Sequence, residues 1–163
     1  MTVVTDTSVV LNLCVIERQE VLPVLFGEIL APTVVVQEFQ QLVSSASRFQ
    51  GLTFPLFIRQ ASPQSLLPSL TASSRLQAGE IAALSLAVEL RADAVLMDET
   101  AGRHAAVALG LRPVGLLGIL LEAKQRSLIP ALAPLLDRLE KEAQFWVSPT
   151  LRASVLSDAG ESS

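Results

Sequence analysis

The amino-acid sequence predicts an α/β fold: a three-layer sandwich with a central, mostly parallel sheet between two layers of helices. Two observations carry this expectation. Short strand-like runs alternate with longer helical patterns along the chain, as in successive β-α-β units. Several of those runs, such as Ala94 to Met97, are apolar without alternation, which is the pattern of strands covered on both faces. Composition agrees, since 50% of the 163 residues are hydrophobic and 17% are charged. With a mean hydropathy of +0.49, a disordered chain is excluded. The apolar surplus needs a doubly covered sheet or a subunit interface to hide it.

Taken in order, Thr2 to Thr5 is a β-branched strand ending at Asp6, and Thr7-Ser8 leads into a helix over the apolar stretch Val9 to Ile16. Helix resumes over Val21 to Phe26, and Glu28 to Ala31, before Pro32, is a second strand. Thr33 is read as the N-cap of a helix through Leu42. Val43 to Gly51 turns to Ser, Ala and Gln, a loop or a loose helix end, and Phe57 to Ala61 is a third short strand. Ser74-Arg-Leu-Gln has the capping-box pattern of a helix start; Glu80 lies near that start and Ile81, Leu84 and Val88 form the core face. Ala94 to Met97 is a strand stopped by Asp98-Glu99-Thr100. A helix through Leu109 with Gly110 as its C-cap and a short Arg112 to Val114 strand follow. Leu116 to Arg126, Pro130 to Glu142 and Pro149 to Asp158 read as three closing helices. No linker divides the chain, so residues 1–163 are expected to form a single domain, with the C-terminal helices (about 128–159) packing on the sheet or forming an oligomer interface.

The counts exclude several chemistries. One cysteine, Cys14, and one histidine, His104, rule out a disulfide framework, a Cys-rich zinc site and any His-His metal motif. The N-terminal run lacks a basic start and contains Asp6, so it fails as a signal peptide. The apolar region Ala105 to Leu121 is cut by Arg112-Pro113 and by glycines, short of the ~20 residues a membrane span needs. A cytoplasmic protein without a membrane partner is the expectation. Sixteen acidic residues against 12 basic give a formal charge of −4. A broad basic nucleic-acid surface is therefore absent, and any nucleic-acid role needs local arginines or bound cations. No glycine-rich phosphate loop is present, since GLRPVGLLG fits neither common pattern.

In open parallel sheets, ligands bind outside the carboxyl ends of the strands where the strand order reverses. Asp6 and Asp98 both stand at such ends, in the echoing runs VVTDT and AVLMDET. Neighbouring carboxylates repel each other unless a cation or proton lies between them, and Mg2+ or Mn2+ prefers oxygen ligands. The ordinary alternative is that each Asp caps the following helix. Glu80 follows Gly79, a residue that permits close approach of a backbone or ligand, although a first-turn carboxylate also compensates the helix dipole. Glu38, between Val36 and Phe39, reads on its own as a solvated face residue.

The runs VVTDTSVVLNL, APTVVVQEF, LQAGEIAALSLAVEL and AVLMDETAGRHAAVALGLRPVG resemble the PIN-domain family in order and spacing, and the likeness continues through GLLGILLEAKQRSLIP to QFWVSPTLRASVLSDAGE. The resemblance is to an uncharacterised prokaryotic branch of that family, PilT N-terminus-like and VapC-like. It implies a parallel-sheet nuclease fold and Mg2+- or Mn2+-dependent ribonuclease activity on RNA, and for many members a toxin role with an antitoxin partner. Carried over by position, the acidic quartet falls on Asp6, Glu38, Glu80 and Asp98, with Glu99 as a further carboxylate. Metal ligation then belongs to Asp6, Glu80, Asp98 and Glu99. Glu38 orients the attacking water, and Thr7 and Ser8 fix Asp6. Arg103 faces the site or the phosphate backbone, or instead pairs with Glu99. One departure is Gln77, where the branch often has Asp. Two other readings remain open: a PIN-fold binding module with weak or lost nuclease activity, its apolar surplus serving a homodimer or antitoxin, and an aspartate-based phosphotransferase. The latter usually has a second Asp where Ser8 stands.

Overall fold

The computed structural model describes residues 1–162. Five short strands, β1 (Thr2–Thr5), β2 (Glu28–Ala31), β3 (Ile58–Gln60), β4 (Ala94–Leu96) and β5 (Pro113–Val114), form one sheet in the order β3-β2-β1-β4-β5. Every pairing is parallel. The chain steps outward from β1 to β2 and β3, then returns to the other side of β1 with β4 and β5. The reversal of strand order therefore falls between β1 and β4, and Asp6 and Asp98 follow those two strands.

Around the sheet lie α1 (Thr7–Val15), α2 (Val21–Phe26), α3 (Thr33–Ser45), α4 (Pro68–Thr71), α5 (Ala78–Leu90), α6 (Thr100–Ala108), α7 (Leu116–Gln125), α8 (Ala133–Ala143) and α9 (Pro149–Asp158). Side chains alternate across a strand, and here the alternation separates two cores. Val3, Ile29, Ala94 and Leu96 face a large apolar cluster built from α1, α2, α3, α7, α8 and α9. Val4, Leu30, Val95 and Met97 face a smaller one built from Leu70 and residues of α5 and α6. Both faces are covered, which is why the strands carry no polar alternation. The closing helices share the larger core through Leu135, Leu136, Leu139, Val155 and Leu156. Among the described residues, no helix is long and apolar enough to cross a membrane.

Several boundaries shift by a residue or more from the sequence-based expectation, and at three helix starts the shift has a local reason. Thr33 is the first residue of α3, with Pro32 in the cap position. The N–H of Thr33 is taken by Ser62 Oγ at 3.2 Å from a distant loop, so no cap from its own chain segment is needed. The helix then runs on to Ser45, beyond Leu42. The Ser74 pattern is not a cap either. Ser73 accepts from Arg75 in a local turn, and α5 starts at Ala78 with Gln77 in the cap position, its N–H donating to Glu80 Oε1 at 2.9 Å. Finally, α8 begins at Ala133, and the Leu132 and Ala133 N–H groups at its start donate to Glu161.

Candidate acidic active site

The ends of β1 and β4 are tied together where Asp6 N–H donates to Leu96 O at 3.0 Å. This leaves the Asp6 side chain at the switch point, 3% exposed. It does cap α1, accepting from Val9 N–H at 3.3 Å, and Ser8 Oγ lies 3.4 Å from both of its oxygens. These bonds do not offset its isolation from water. Burial foremost, with Asp98 and Glu80 nearby, pushes the Asp6 carboxyl up to about 8. Capping and an acid–base role are thus compatible at this residue.

The other carboxylates reach the same end of the sheet from separate elements. Glu80, in the first turn of α5, is 7% exposed. Its Oε1 accepts from Gln77, while its buried Oε2 has no hydrogen-bond partner among the described residues. Burial, reinforced by Glu99 and Glu38, raises its pKa. Glu38 is half-buried on α3, and its Oε1 accepts from Thr7 Oγ1 at 2.8 Å. Thr7 therefore holds Glu38, whereas Ser8 is the hydroxyl beside Asp6. The expectation that Glu38 alone is a solvated face residue gives way, because the packing of α3 against α1 and α5 turns it inward.

Asp98 sits slightly apart. Its Oδ1 accepts from Leu116 N–H at 2.9 Å, so it caps α7 rather than α6. Its Oδ2 is buried without a partner among the described residues, and burial raises its pKa against the opposing pull of Leu116 N–H and Arg103. Arg103 does not pair with Glu99; its Nη1 donates to Met97 O at 3.1 Å, beside Asp98. Other basic side chains are engaged elsewhere: Lys124 with Glu161, Arg126 with Glu122, Arg59 with Glu28, and Arg48 over the Phe49 ring.

Three glycines make room for these acids, and two of them are absent from the sequence reading. A Cβ at Gly79 would collide with Glu38 Oε1. One at Gly102 would collide with Met97 Sδ and stand 2.9 Å from Glu80 Oε2. One at Gly115 would stand 2.8 Å from both Asp98 Oδ1 and Arg103 Nη1. Glycine spacing alone does not reveal such contacts; the only sequence signal was the Gly79-Glu80 pair.

The outcome is a cavity of about 560 Å3 whose lining includes Asp6, Thr7, Ser8, Glu38, Gln77, Glu80 and Glu99. Asp98 and Arg103 line an adjoining cavity of about 550 Å3 that shares Glu99. Among the described residues, no three of these carboxylates stand close enough to chelate one ion as they lie. Chemically, the donor set is all hard oxygen, the kind that Mg2+ and Mn2+ accept. Its two orphaned buried oxygens are groups whose charge a cation would compensate.

Residues 2–161 match a family model, DUF3368, described as a PIN domain. A search of curated proteins finds no match. Among solved structures, the chain is similar to a PilT N-terminus domain protein from the hyperthermophilic archaeon Sulfolobus solfataricus P2. The likeness has a TM-score of 0.51 at 18% identity and covers 76% of this chain and 93% of that one, so it bears on the fold.

Proposed function

The chain belongs to the PIN-domain family, whose members are in general nucleases that typically use divalent metals, and we propose that it is an endoribonuclease hydrolysing RNA phosphodiesters with Mg2+ or Mn2+ at its acidic cavity. The observation that supports this reading best is the concentration of buried, incompletely satisfied carboxylates at the sheet's switch point. Asp6 is driven up to about 8 there, and Glu80 Oε2 and Asp98 Oδ2 lack partners among the described residues. Such frustration is costly in a purely structural role and is concentrated at functional sites.

In this reading Asp6, Glu80 and Asp98, with Glu99, would supply the oxygen ligands, and three of them would have to draw closer than they lie here to share one ion. When bound, a divalent ion supplies positive charge to the phosphate and favours ionisation of water. The chain's own residues do the positioning. Ser8 fixes the Asp6 carboxylate, Thr7 presents Glu38 to orient the attacking water, and Gln77 holds Glu80 through its backbone N–H. Arg103, anchored on Met97 O, meets the RNA backbone from the adjoining cavity. No side-chain nucleophile or histidine base is required.

The assay is cleavage of single-stranded RNA with added Mn2+ or Mg2+. Wild type cuts internally, EDTA abolishes cutting, and Asp6→Asn is inactive. Equal cleavage by Asp6→Asn and wild type refutes the reading. Gln77 in place of the branch's frequent acid, together with the spread of the carboxylates, favours as a second reading a PIN-fold binding module with little hydrolysis. RNA retention without cleavage under every metal condition selects it. A toxin role, with an antitoxin partner and a cytoplasmic homodimer, extends the first reading. Growth arrest on expression, relieved by a neighbouring gene, tests that extension.

A further inference from the structure

The second cavity, adjoining the acidic one, is unlike it in character. It is lined by Pro113, Val114, Leu117, Phe145 and Leu151 together with Asp98, Glu99, Thr100 and Arg103, and Glu99 also lines the acidic cavity. Among the described residues, the Arg103 guanidinium makes a single side-chain hydrogen bond, to Met97 O, leaving most of its donor fork uncommitted. Leu151, one of its lining residues, is 47% exposed. A volume of about 550 Å3 lies within the range of small-molecule sites.

We propose that this cavity receives the nucleobase next to the scissile phosphate, with Arg103 on the intervening phosphate, so that it sets the base preference of cleavage. The proposal rests on the nuclease reading above. Two features point to a nucleic-acid strand over a protein segment. Glu99 lines both cavities, so a strand with its phosphate at the acids places its neighbouring nucleotide here. A cavity that pairs an aromatic and apolar lining, Phe145, Leu117 and Leu151, with Arg103 matches a base and its phosphate, the usual recognition of unstacked single strands. Stacking platforms of this kind read bases by shape and stacking, which gives preference without a dedicated hydrogen-bond code.

Gly118 offers a test that spares the fold. It lies in the first turn of α7, lines the cavity, and a Cβ there would stand at an ordinary 3.7 Å from Val114 Cγ1. Gly118→Leu therefore fills the slot while favouring the helix. The probes are labelled 2′-O-methyl hexanucleotides of each single base, which cannot be cut, read by fluorescence anisotropy with wild type and variant in Mn2+. Wild type is expected to prefer one base over the weakest severalfold, since differences in stacking strength give modest base preferences. In Gly118→Leu that spread is expected to fall to within about twofold, with an unchanged or higher melting temperature. An unchanged order and spread in Gly118→Leu overturns the proposal, as does equal wild-type binding of all four probes; either leaves the slot to a protein partner. Cleavage is scored separately. Uncut RNA in wild type counts against the nuclease reading, whereas a base-ordered binding series that collapses in Gly118→Leu still supports the slot.

Discussion

Glu161 and Asp6 are both carboxylates drawn in from water at helix starts, yet their surroundings are opposite. Glu161 accepts from Leu132 N–H at 2.7 Å, Ala133 N–H at 3.2 Å and Lys124 Nζ at 3.0 Å. These partners, Leu132 N–H first, hold its pKa below the usual range. Asp6 has one backbone donor and a distant hydroxyl, with Asp98 and Glu80 close by, and burial holds its pKa far above. Glu161 is therefore a satisfied latch, while the end of β1 is a frustrated site. The difference supports placing the proposed activity at the end of β1: charges in a structural role are completed by the fold, whereas incompletely satisfied ones are concentrated at functional sites.

This contrast sets the order of predicted effects. Asp6→Asn should cut RNA cleavage by at least about a hundredfold, because it removes charge at the centre of the site. Its effect on folding should have the opposite sign. The raised folded pKa of Asp6 means that its destabilisation is absent below pH about 4 and grows until the pH passes about 8. Asp6→Asn should thus melt higher than wild type at pH 8 and alike at pH 4, as followed by circular dichroism.

Glu161→Ala should do the reverse, lowering stability by about 1–2 kcal/mol, the usual cost of a lost helix cap, with cleavage per folded molecule unchanged. Because the folded pKa of Glu161 is lowered, its contribution is present above the ordinary glutamate range and fades as pH falls through it. A denaturant series at pH 7 and pH 3 measures both points.

Gly79→Ala is the finest probe. The added methyl meets Glu38 Oε1 and swings that carboxylate off Thr7. Cleavage should drop severalfold while stability stays level or rises, since Ala favours a helix by up to about 1 kcal/mol over Gly. Equal loss of stability and activity would mean that Glu38 is held for packing alone.

The contrast also shows what could be read from residue order. The parallel sheet and its two apolar layers were legible because hydrophobicity reports burial directly, as in Ala94 to Leu96. In α5, however, burial runs through Ala82 to Ala87, and of the expected face Ile81, Leu84 and Val88 only Leu84 is fully buried. Asp6 and Asp98 were legible because a strand-ending carboxylate in a parallel sheet lies at its ligand-binding end. Helix starts were less so: Ser74 had the right composition, but the cap position fell to Gln77, whose N–H donates to Glu80 Oε1. Arg103 carried two sequence-level readings, and only tertiary placement next to Gly115 set it against Asp98 instead of Glu99. The orphaned oxygens of Glu80 and Asp98 have no sequence signature, since a missing partner is a property of the packed structure.

The most direct test of the frustrated-site account is the melting temperature of wild type and Asp6→Asn at pH 8, with EDTA and with millimolar Mn2+. In EDTA, Asp6→Asn should be the more stable. Mn2+ should raise the wild-type midpoint, since binding to the native state stabilises it, and should leave Asp6→Asn unmoved. Equal midpoints in EDTA, or an equal Mn2+ shift in both proteins, would contradict the account.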